Sequence, residues 1–91
     1  MSAHASAGLA NVAATIGRMD VDRTRWRVVV ETWPEQQCYH GRLVFQPETG
    51  HPADDARASG PLLSGRTPEE VVIAAYQLSE KHVRALLRSL T

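Results

Sequence analysis

The chain reads as an α+β domain: an antiparallel sheet of two to three strands in β-β-β-α order, with one long C-terminal helix packed on one face. Two observations carry that expectation. Residues 24–33 and 38–46 alternate apolar and polar side chains with the two-residue period of a strand. Residues 67–90 open on a helix-capping sequence and then repeat apolar residues at helical spacing. The length of 91 residues allows one domain. Ten Lys and Arg balance ten Asp and Glu, for a formal net charge of zero. That sum disfavours a strongly basic nucleic-acid binder, whose pI usually exceeds about 9. One cysteine excludes an internal disulfide framework and a Cys-rich zinc module.

Residues 1–22 are set apart as a flexible N-terminal tail or a short docking helix, and residues 23–91 as the single α+β domain. Leu9, Val12, Ala13 and Ile16 make a short apolar stripe at helical spacing, bracketed by Gly8 and Gly17. An isolated helix of about ten residues is marginal in water.

In the first strand Trp26, Val28, Val30 and Thr32 share one face. Arg25, Arg27, Val29, Glu31 and Trp33 share the other. In the second strand Tyr39, Gly41, Leu43 and Phe45 oppose Cys38, His40, Arg42, Val44 and Gln46. A loop over 34–37 would close the hairpin with Trp33 opposite Cys38, Val28 opposite Leu43 and Trp26 opposite Phe45. The two apolar sets then meet on one face, as register specification requires. The missing Cβ at Gly41 leaves room for another element to approach the sheet.

Residues 47–57 carry Pro47, Gly50, Pro52, Asp54 and Asp55 and read as a loop. Residues 58–64 read as a third short strand, at an edge or irregular, because Pro61 has no N–H to donate. Thr67-Pro-Glu-Glu70 is a capping box with proline at the first helical position and two acidic residues facing the positive end of the dipole. Val71, Val72, Ala75, Tyr76, Val83, Leu86, Leu87 and Leu90 then cover one arc. A continuous helix to Leu90 would be about 34 Å long. Its end, with Leu86, Leu87 and Leu90, would overhang a sheet of strands about 17–20 Å long.

The stretch Gly60-Pro-Leu-Leu-Ser-Gly-Arg-Thr-Pro-Glu-Glu70-Val resembles the third strand and helix entry of HicB-like antitoxins. Gly60, Gly65, Thr67, Glu69 and Glu70 match, while Pro61 stands where cysteine is usual and Val71 where alanine is usual. The hairpin of Trp26-Arg-Val-Val-Val-Glu31 and Tyr39-His-Gly-Arg-Leu-Val44 is similar to the family's first two strands. The resemblance covers about residues 25–90. Loop 47–57 replaces the family's Pro-Asp-Leu-Pro-Gly-Cys segment, and no helix-turn-helix or ribbon-helix-helix follows the helix. The resemblance implies a partner-binding, degraded dsRNA-binding-like domain, with a toxin-like protein as the partner class it suggests; it does not imply operator binding.

Arg25, Arg27 and Arg42 with Trp33 form the basic and aromatic cluster on the sheet face away from the helix. With Val29, His40 and Val44 they make the expected interaction surface, apolar residues within a polar rim. The first functional reading is a homodimeric protein-interaction module. The alternative is a small RNA- or single-stranded-DNA-binding domain on the same arginine face, which the zero net charge weakens. No enzyme activity, cofactor or metal is expected. Glycine-rich phosphate loops, nucleophile elbows and metal motifs are absent from the sequence. Cys38, His40 and Glu31 fall short of tetrahedral zinc spacing. His82 has no sequence-placed nucleophile beside it, and Asp54 and Asp55 read as a solvated acidic loop. No apolar run nears the roughly 20 residues of a spanning helix, and the N-terminus lacks the cationic segment of an export signal. A cytoplasmic location is therefore expected, with which a lone thiol agrees.

Overall fold

The structure, a computed structural model, describes residues 12–50 and 54–91. Among them the elements are β1 (Val12–Val21), β2 (Thr24–Glu35), β3 (Cys38–Pro47), β4 (Arg57–Ala58), β5 (Leu63–Gly65), α1 (Pro68–Tyr76) and α2 (Glu80–Leu90). The sheet is antiparallel in the order β1-β2-β3-β4, and β5 also pairs with β3. The α+β class stands. The sheet is larger than expected, and the single long helix is two helices.

The largest correction concerns the segment set apart as a tail or docking helix. Val12–Val21 is an edge strand paired along its length with β2. The rest of that segment, residues 1–11, lies outside the described residues. A β-bulge hid the strand. Thr15 faces Val29 and Gly17 faces Val28, so Ile16 is an extra residue. Ala14 and Ile16 pack on the core before the bulge, and Met19 and Val21 after it. The inward set switches from even to odd positions, which erases the two-residue period.

β1 and β2 are joined by Asp22-Arg23, both with positive φ, at 53° and 68°. That is the geometry of a type I′ two-residue hairpin turn, whose twist matches that of the strands. Arg23 carries a Cβ in a region that costs non-glycine residues about 1–2 kcal/mol. Glycine's extra chain entropy costs roughly 0.5–1 kcal/mol. Arg23→Gly is therefore expected to raise the urea midpoint at unchanged slope; a lowered midpoint would contradict the turn geometry.

β2 and β3 form the expected hairpin with a shorter loop. Gln36-Gln37 makes the turn, with Gln36 at φ 60°, and Glu35 faces Cys38. Trp26 thus lies opposite Pro47, Val28 opposite Phe45 and Val30 opposite Leu43, two residues from the expected register. A two-residue shift preserves the faces. Pro34 stays in the strand opposite Tyr39. The pair next to a hydrogen-bonded closing pair points its N–H groups away from its partner, and β1 pairing stops at Thr32. No ladder bond is lost at the proline.

The third strand is two fragments around Pro61. β4 pairs Ala58 with Val44, and β5 pairs Leu63 with Gly41. Between them the buried Ser59 bridges the gap. Its Oγ accepts from Leu43 N at 3.0 Å and donates to Gly60 O at 2.8 Å, while Ser59 N donates to Leu43 O at 2.9 Å.

Thr67 caps α1 by accepting from Glu70 N at 3.1 Å. Glu70 Oε1 reaches back to Arg66 N, at 2.8 Å, one residue beyond the expected Thr67 N–H. The helix stops at Gln77, and Ser79 caps a second one, accepting from His82 N at 3.0 Å with an extended backbone. Leu78 precedes the cap and packs on the core that contains Val83 four positions into α2, the arrangement of a hydrophobic staple. The break removes the expected overhang. α2 contacts both β1 and β4, at opposite edges of the sheet, and Leu87 is fully buried. The core joins Trp26, Val28, Val30, Leu43 and Phe45 of the sheet to Val71, Ala75, Val83 and Leu87 of the helices, on the face the strand alternation selects.

Candidate interaction face

The opposite face of the sheet is built in rows by the strand register. One row carries Asp20, Arg25 and, just past β3, Glu48, whose N–H donates to Arg25 O at 2.9 Å. The next carries Arg18, Arg27 and Gln46. Thr15, Val29, Val44 and Ala58 form the third, Ala13, Glu31 and Arg42 the fourth, and Trp33, His40 and Ser64 the last.

Carboxylates already hold most of the arginines on this face. Arg18 Nε donates to Glu48 Oε2 at 2.6 Å. Arg25 bonds Asp20 at 3.1 Å and lies 3.5 Å from Glu48. Arg42 Nε donates to Glu31 Oε1 at 2.9 Å. Such exposed pairs each contribute roughly 0–1 kcal/mol. Their larger effect is on the field: positive and negative charges alternate, so the face offers no continuous positive track for phosphates. Arg27 makes no ion pair among the described residues.

The structure brings the sequence-selected residues onto one face but divides their roles. Arg25 and Arg27 are exposed; Trp33, His40 and Arg42 are half-buried. Val29 and Val44 face one another and are only 8% and 7% exposed. They support the face from below and offer little area to a partner. At its other end Trp33, Glu31 and Arg42 line a depression of about 460 Å³ with Val12 and Ala13.

His40 faces Trp33, and Glu31 faces and pairs with Arg42. The carboxylate beside His40 is Glu35, 3.8 Å from Nε2, and Glu35 also accepts from Trp33 Nε1 at 3.4 Å. Cys38 Sγ lies 3.5 Å from His40 Nε2 and 3.5 Å from Glu35 O. Among the described residues no group of three or more His, Cys, Asp or Glu is placed to hold a metal ion. His82, Asp54 and Asp55 are exposed and stand apart from this face. Sequence reasoning missed Arg18, Asp20 and Glu48; the first two lie on the strand the bulge concealed. No helix among the described residues is long and apolar enough to cross a membrane.

Neither a protein-family model, nor a curated protein, nor a solved structure matches the chain.

Proposed function

We propose that the protein is a homodimeric protein-interaction module whose contact surface is the face carrying Trp33 and Arg42. The depression lined by Trp33, Arg42 and Glu31 carries this reading. Trp and Arg dominate the energetics of protein contacts, because each combines a large area with directional polar groups. Arg25, Arg27 and Arg42 orient the partner through the polar rim, while Val29 and Val44 hold the platform beneath. The resemblance to HicB-like antitoxin domains suggests the partner class, a small toxin-like protein, and the neutral charge favours a protein over a nucleic acid. Arg27, with no ion pair among the described residues, is the feature that favours the alternative, single-stranded nucleic acid on the same face.

Two measurements separate these readings. Light scattering across micromolar concentrations is expected to give a mass near twice 10.0 kDa; a monomer at the highest concentration removes the dimer. Labelled single-stranded RNA titrated at low and physiological salt is expected to show no binding. Binding at low salt that collapses as salt rises would replace the protein-partner reading with the nucleic-acid one.

A further inference from the structure

We propose that two copies of the chain join through the outer edge of β1, pairing antiparallel about a two-fold axis at Met19 and continuing one sheet across both. This rests on the homodimer reading and specifies its interface. Val12–Val21 is a ten-residue edge strand, with β2 on one side and no partner among the described residues on the other. Long edges of this kind are templates for a further strand.

Backbone geometry shows which groups the edge offers. Val21 and Thr24 close a two-residue turn, so their pair is hydrogen-bonded, and the pairs at Asp20 and Arg18 are not. The N–H and C=O groups of Arg18 and Asp20 therefore point outward. The Arg84 guanidinium confirms this, donating to Asp20 O at 2.5 Å from α2. That carbonyl keeps a second lone pair for another donor.

Charge then selects one register. With Arg18 opposite Arg18, or Asp20 opposite Asp20, like charges face each other, which is destabilising. With the axis at Met19, Arg18 faces Asp20 of the second copy, and the two-fold repeats the pair. Each pair also exchanges both backbone hydrogen bonds. The Arg18 and Asp20 side chains are 48% and 68% exposed, so both are accessible despite their pairs within the chain. The row Glu48, Arg25, Asp20 then continues into Arg18 of the second copy with alternating sign.

The helix-side face of the same edge is mainly apolar, with Glu80 also lining it and Arg84 reaching its margin. Met19 would meet its copy across the axis. Beside it lies a groove of about 160 Å³ lined by Ile16, Met19, Tyr76, Leu78 and Val83. Gly17 borders this groove with nothing within 4 Å of where a Cβ would sit. In this register Gly17 faces Val21 of the second copy.

A charge swap tests the interface. In Arg18→Asp each copy sets carboxylate against carboxylate; in Asp20→Arg, guanidinium against guanidinium. Mixed one to one, the two variants restore both opposite-charge pairs. By sedimentation velocity each variant alone is expected to raise the dimer dissociation constant at least about tenfold, and the mixture to return it to within about twofold of the wild type. Recovery in the mixture also shows that both variants fold. A wild-type dimer that both variants keep, or a loss that mixing does not restore, overturns the β1 interface and leaves the dimer standing. A wild-type monomer overturns the dimer itself, and this interface with it.

Discussion

Phe45→Ala is expected to cost about 3–5 kcal/mol of stability, the range for truncating a buried aromatic. Phe45 is the largest fully buried side chain among the described residues. It sits opposite Val28 on β3 with Arg57 of β4 paired on its other side, so strands flank it on both sides. The helices close it from above through the cluster that holds Val71, Ala75, Val83 and Leu87. Neighbours fixed in a sheet relax little into a cavity, which places the cost toward the upper end. Domains of this size have roughly 0.05–0.15 kcal/mol of stability per residue, so the loss is a large share of the total. Urea unfolding should show a lowered midpoint at unchanged slope. A cost under about 1 kcal/mol would mean that the ring is not enclosed as described.

Gly41→Ala is expected to destabilise by about 1–3 kcal/mol, as overpacking does. A Cβ at this position would collide with Val71 Cγ1 and stand 3.2 Å from the Glu31 carbonyl oxygen. Val71 is fully buried near the start of α1, and its branched side chain has little freedom to turn aside. The helix would have to lift from the sheet. Gly60→Ala is the control, since nothing lies within 4 Å of its Cβ position. In a Val71→Ala background the Gly41→Ala cost should shrink, and the double-mutant cycle measures the coupling. Equal costs at Gly41 and Gly60 would show that α1 does not approach so closely.

Gly41 also shows what was legible from residues alone. Its missing side chain in an otherwise bulky strand signalled a close approach, and α1 makes it. The faces of β2 and β3 are legible because Trp26, Val28 and Val30 share one face, and a turn two residues shorter than the expected loop over 34–37 leaves those faces unchanged. Proline by residue type argues against a strand interior, while the place of Pro34 in a pair without ladder bonds lets it stay. β1 was illegible because Ile16 breaks its period at the bulge. The helix break was visible only in Ser79-Glu80, a second cap signal outweighed by the apolar spacing on either side of it. For the candidate face, the arginines could be placed on the right side of the sheet. Their carboxylate partners could not, since Asp20 depends on the hidden strand and Glu48 on the true register.

The turns at Asp22-Arg23 and Gln36-Gln37 follow one another with β2 between them. Every rung between β1 and β2, and between β2 and β3, can therefore zip outward from a reversal of two residues. Closing such short loops has a small entropic cost, and contacts between residues near in sequence favour fast folding. The three long strands thus contain their own nucleation sites, and the helices can settle on a ribbon whose assembly does not wait for them.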